Sequence, residues 1–454
     1  MATPLPRHED PRGDPVACSR SSAIEPCERG LWRLVSFVGD PLADFDAALA
    51  LDPECAMAHL ARADAHLLLA ERAYLPAARE SLAAAAALLP RAGPREHQHH
   101  AAASLAAAGR WSDARLAWEA LLVDHPRDLL ALFCAHMTDF YCGDASNLCL
   151  RVARVMPHWD AAVPGWSYVL GMHAFGLEEC RRYEEAEAAG RAALALQPRD
   201  PWAVHAVAHV MEMEGRHEEG ADWLREREPD WAPDNGLAYH NWWHLALFHL
   251  EDLDTAAALA IYDTHLPVQP GQLVLQRVDQ TALLWRLKLM GCEVGDRWEA
   301  VADGWEAGLE QEAGFYAFND AHAALAFIAT GRDAPLARLR EAMAAQAGRG
   351  GRSSGDLPAM QREVGLPLVD ALVDQRDGRH RKAAWELFLL RDRAPRFGGS
   401  HAQRDLISQT LLACAVGSGD AGLATHMAQE RLASKPDTPL TGYWMGAARS
   451  AGVH

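Results

Sequence analysis

The sequence predicts an all-α protein, an α-solenoid of helix-turn-helix repeats curled around a central concave cavity. Three observations carry that expectation. Alanine-rich, helix-periodic segments run from about residue 26 almost to the end, with no convincing run of alternating β-branched residues. Turns between helices recur in one form: Gly109-Arg110 before Ala114, Gly215-Arg216 before Gly220, and Gly378-Arg379 before Ala383. Helical pairs close on Pro53, Pro90, Pro126 and Pro198, at spacings of 37, 36 and then 72 residues, two units. A glycine in such a turn can take the left-handed conformation that ends a helix, and the small residue after it lets the second helix pack closely on the first. The period is near the roughly 34 residues of a tetratricopeptide unit, so the repeats are tetratricopeptide-like, each stacking on its neighbours.

Taken in order, residues 1–25 read as a disordered or loosely attached arm, because prolines and charges interrupt every apolar run. Residues 26–344 carry the repeats. Glycine, serine and arginine in AQAGRGGRSSGDLP make 345–358 a flexible loop. Residues 359–454 hold further helical repeats that close the solenoid.

Composition narrows the function classes. The balance of 43 basic against 62 acidic residues gives −19, which argues against a nucleic-acid partner and against docking on an anionic membrane. The longest apolar run, Leu82 to Leu89, is too short to span a bilayer, and the N-terminus has no signal-peptide core. Nine scattered cysteines with no C-x-x-C pair read as structural thiols of a reduced, cytoplasmic protein.

Histidine follows the repeat. His66, His100, His136, His173, His209 and His244 are 34, 36, 37, 36 and 35 residues apart, and Asp279 lies 35 further on. Each falls in the first helix of its pair, the helix that lines the inner wall of such a solenoid. If Gly215 is the fifteenth residue of its unit, then His205, His209 and Glu212 occupy groove-facing positions. His240 and His244 repeat the four-residue spacing one pair later, and residues four apart share a helix face.

The chain resembles the proteins similar to tetratricopeptide repeat protein 38. The resemblance rests on GMHAFGLEECRRYEEAE (171–187), DPWAVHAVAHVMEMEGR (200–216), YHNWWHLALFHLE (239–251), FNDAHA (318–323) and GGSHAQRD (398–405), and extends from about residue 45 to 440. It implies a closed-up helical solenoid and no particular chemistry.

The site candidates admit several chemistries. His205, His209, His240 and His244 have the spacing of a metal site for zinc, iron or manganese, since two imidazoles on one helix can share an ion that a facing helix completes. The competing reading is a polar interior of histidines bonded to one another, water or backbone. Acid-base catalysis would use His209 with Glu212, or His322 with Asp320 or Asp279. A ligand cavity for a small polar molecule or peptide would add His173, His205, His240, Trp243, His244, Asp279, His401 and Arg404. Ser400 and Gln403 also form a helix-capping box, which explains both without a ligand. A third reading is a scaffold for protein partners.

Overall fold

The computed structural model describes residues 3–349, 355–436 and 438–451. Among them the fold is all-α, a succession of tetratricopeptide-like helix-turn-helix pairs from Ile24–Ser36 to Pro439–Ser450. The predicted turns close as their chemistry requires. Gly109, Gly215 and Gly378 all have left-handed φ, at 73°, 74° and 77°. Gly220 answers the requirement for a small residue, because a Cβ there would lie 2.2 Å from Cζ of Phe248. Any larger side chain would drive the two helices apart.

The chain divides into two compact units. One comprises Met1–Val207, Asp230–Leu237 and Arg352–Asp356; the other comprises Ala208–Pro229, Ala238–Gly351 and Leu357–His454. This differs from a division near residue 350, because the first boundary falls inside the helix Pro201–Met213. No helix among the described residues is long and apolar enough to cross a membrane.

In the first unit the N-terminal arm is folded. Arg7–Glu9 pairs antiparallel with Pro15–Ala17, and Leu5, Val16, Ala17 and Cys18 are buried. The charges that made this stretch look solvated neutralise one another inside: Arg12 bonds Asp10 and Glu28, and Arg95 joins Asp10 to Asp128. Strands of three residues are too short to give a periodic signal.

In the second unit the expected loop at 345–358 is shorter than its composition suggests. The helix Asp333–Ala347 runs through its first residues and Leu357–Met360 is helical, while 350–354 lie outside the described residues. Six helices matter below: α1 (Pro201–Met213), α2 (Ala238–Glu251), α3 (Val274–Leu289), α4 (Ala317–Thr330), α5 (His401–Gly417) and α6 (Ala421–Ser434). In this unit α3 packs on α2, α4 and α5.

Candidate metal centre

All six periodic histidines lie on the first helices of their pairs, as the spacing requires. Their side chains do different things. In the first unit His66 bonds the carbonyl of Arg62 and His100 that of Leu82, so both are occupied by backbone. His136 is fully buried, and burial pushes its imidazole down to about 3. His173 is half-buried and likewise held below its usual value by burial. His205, one turn before His209 on α1, packs its ring on Trp202 at 5.0 Å and Phe175 at 5.4 Å.

The second unit gathers the others. On α2 the four-residue spacing stacks His240 and His244 on one face, ring centroids 4.7 Å apart, and His209 of α1 meets His244 at 4.5 Å. One ring nitrogen from each of the three lies within 4.8 Å of the others. Two of the rings are oriented by carboxylates. His244 donates through Nδ1 to Glu212 at 3.0 Å, and His240 donates through Nδ1 to Asp279 at 2.8 Å. A carboxylate can only accept here, so in the neutral rings Nδ1 carries the proton and Nε2 the lone pair. Burial first, then His209, His240, Lys435 and Arg286, hold the His244 imidazole well below its usual range. That ring is neutral at physiological pH. Burial also raises Asp279, with His240 opposing the shift.

Behind the carboxylates stands a charge network that the sequence reading missed. Lys435, 3% exposed, donates to Glu212 at 2.9 Å and to Glu251 at 3.3 Å. Arg431 bridges Glu251 and Asp405, both at 2.9 Å, and Thr438 donates to the second oxygen of Glu251. Burial works against the charge on Lys435 and on Arg431. The neighbouring carboxylates outweigh it and raise both. Arg286, also buried, lies over the Trp243 ring at 5.4 Å, and Trp243 stacks on His240 at 5.1 Å. Glu212, Glu251 and Asp405 thus share the two cations Lys435 and Arg431.

Several expected pairings do not form. His209 and Glu212 share a face of α1, yet Glu212 reaches across to His244 and Lys435, so its oxygens are committed to positioning. Asp320 and His322 are two residues apart and point different ways. Asp320 takes the Gly314 N–H at 3.0 Å and the amide of Gln361, while His322 donates to the Phe318 carbonyl at 2.8 Å. His209, Trp243 and His244 have no solvent exposure. The cavity bounded by His322, Arg404, Gln403 and Phe318 is about 10 Å³, one water at most. Arg404 turns back to the Gly399 carbonyl. Ser400 and Gln403 form the predicted capping box, with His401 the first residue of α5.

His322 gives a pH prediction. Burial holds its imidazole down to about 4, against an ordinary value of about 6.5. Between those values the unfolded chain binds the proton and the folded one does not, so stability falls as the pH drops through this window. The expected contribution is about 3 kcal/mol, fully lost near pH 4. Urea unfolding at pH 7 and pH 4.5 checks it, and His322→Asn should flatten that part of the profile.

No protein-family model matches the chain. Among solved structures it is similar to the human IFIT1 dimer with m7Gppp-AAAA, at 13% identity and a TM-score of 0.41, over 86% of this chain and 90% of that one. It is also similar to the human IFIT1 dimer with PPP-AAAA, at 13% identity and a TM-score of 0.40, over 86% and 91%. At these scores the likeness adds nothing to what the helices themselves show of the fold. One expectation is nevertheless corrected. IFIT1, a helical-repeat protein, carries capped or triphosphate oligonucleotides in those structures, so the exclusion of a nucleic-acid partner on net charge is withdrawn. Net charge averages over a whole surface, whereas a phosphate is recognised by a local group of cations.

Proposed function

We propose that this helical-repeat protein binds a transition-metal ion, zinc, iron or manganese, through His209, His240 and His244 in its second unit. The observation that carries the proposal is the pair of hydrogen bonds from Nδ1 of His244 to Glu212 and of His240 to Asp279. Metal-ligating histidines almost always donate their second nitrogen to a carboxylate or carbonyl, which fixes the tautomer and aims the lone pair at the ion. Nitrogens sharing a zinc ion at about 2.1 Å each lie roughly 3–4 Å apart, and the 4.8 Å limit on this group requires only a small closing of the rings. Three protein ligands leave one coordination position for water. Hydrolysis there would need a route for substrate, and the absence of solvent exposure at His209 and His244 favours holding an ion over turning over a substrate.

The test is elemental analysis of protein purified without an affinity tag and dialysed against buffer containing zinc, iron or manganese at micromolar free concentration. One equivalent per chain is expected, and none in the His209→Ala/His244→Ala double variant. A folded native chain that stays metal-free under all three conditions would exclude the proposal.

A further inference from the structure

The first unit holds a pair of thiols that the metal cluster does not use. Cys18 follows the strand Pro15–Ala17, and Cys55 precedes the helix Ala56–Leu67. Three contacts lash these segments side by side. The Arg20 N–H donates to Asp52 at 2.8 Å, the Arg20 guanidinium donates to the Leu51 carbonyl at 3.2 Å, and Ser19 donates to Glu54. Both thiols are wholly buried in the same core, where the Cys18 thiol donates to the Arg20 carbonyl at 3.4 Å and the two cysteine side chains interact. All nine cysteines are free in this structure.

We infer that Cys18 and Cys55 form an intramolecular disulfide when the protein meets a small disulfide oxidant, cross-linking the N-terminal arm to the helix that begins at Ala56. The two thiols are chemically unequal. The hydrogen bond from Cys55 holds Cys18 below its ordinary value, while the same bond and then burial raise Cys55. Cys18 sits on the N-terminal arm, the segment whose opening exposes a sulfur, so it is the attacking thiol. Its sulfur attacks oxidised glutathione, forming a mixed disulfide and releasing one glutathione thiolate. Cys55 gives up its proton to that thiolate, and its sulfur displaces the second glutathione from Cys18. Two protein thiols are oxidised, and one oxidised glutathione is reduced to two molecules of glutathione. Because both sulfurs are shielded, the reaction waits on local opening of the arm, and mild urea should accelerate it.

The experiment treats the full chain with oxidised glutathione in sub-denaturing urea, counts free thiols and maps tryptic peptides. Two of nine thiols should disappear, and the segment 13–20 should become joined to 34–62. The Cys55→Ser variant should stop with glutathione on Cys18, and Cys27→Ser should cross-link as the native chain does. Cys27 lies in a separate tryptic segment, 21–29, so a bridge through it would be seen directly and would overturn the inference. Full retention of thiols under urea in which hydrogen exchange shows the arm open would overturn it as well.

Discussion

Replacing Lys435 with methionine is expected to lower the unfolding free energy by about 3–5 kcal/mol, the cost of removing one partner from a buried ion pair. Two carboxylates, Glu212 and Glu251, lean on this ammonium, and both are buried. Without it Glu212 keeps the neutral His244 as partner, and Glu251 keeps Arg431 and Thr438. Neither arrangement returns the lost positive charge. Urea unfolding at pH 7 measures the effect. The same substitution at exposed Lys288 should stay within about 0.5 kcal/mol. Adding Glu212→Gln to Lys435→Met should restore part of the loss, because the double variant no longer strands that charge. A loss under about 1 kcal/mol for Lys435→Met would mean that the ammonium is not enclosed.

Saturating zinc is expected to stabilise the native chain by about 2.7 kcal/mol when free zinc stands at 100 times its dissociation constant, since an ion bound only by the folded state stabilises by mass action. In the His209→Ala/His244→Ala variant that increment should vanish. Glu212→Gln, which leaves all three imidazoles in place but replaces the carboxylate that orients His244, should weaken zinc binding about 10- to 100-fold without abolishing it. Thermal unfolding across a buffered zinc series separates the three cases. Equal zinc stabilisation of the native and double-variant chains would place the ion elsewhere.

Much of the architecture was legible because it rests on local chemistry. Left-handed glycines, the capping box at Ser400 and Gln403, and the four-residue histidine spacing are short-range features, and each appears where the sequence places it. The link between Asp279 and His240 was half legible: the repeat period put Asp279 on the equivalent helix, and the fold brings its carboxylate to the ring. What local reading could not supply is the group behind the cluster. Lys435 reaches Glu212 across 223 residues and Arg431 reaches Glu251 across 180. One signal was available. Lys288, Lys382 and Lys435 are the chain's only lysines among 43 basic residues, and a lysine kept among so many arginines invites a search for the carboxylates around it. The acid-base pairing of Asp320 with His322 failed on geometry already in hand, since residues two apart on a helix do not meet. The N-terminal arm was misjudged because its charges pair with residues far along the chain, such as Arg95 with Asp10.

The most direct measurement is an anomalous difference map from crystals grown with zinc and recorded at the zinc absorption edge. A peak within about 2.1 Å of one nitrogen from each of His209, His240 and His244, with Glu212 and Asp279 still accepting from Nδ1 of His244 and His240, is the predicted result. Ordered density for the three rings with no anomalous peak between them, or zinc found solely on exposed histidines, would contradict it.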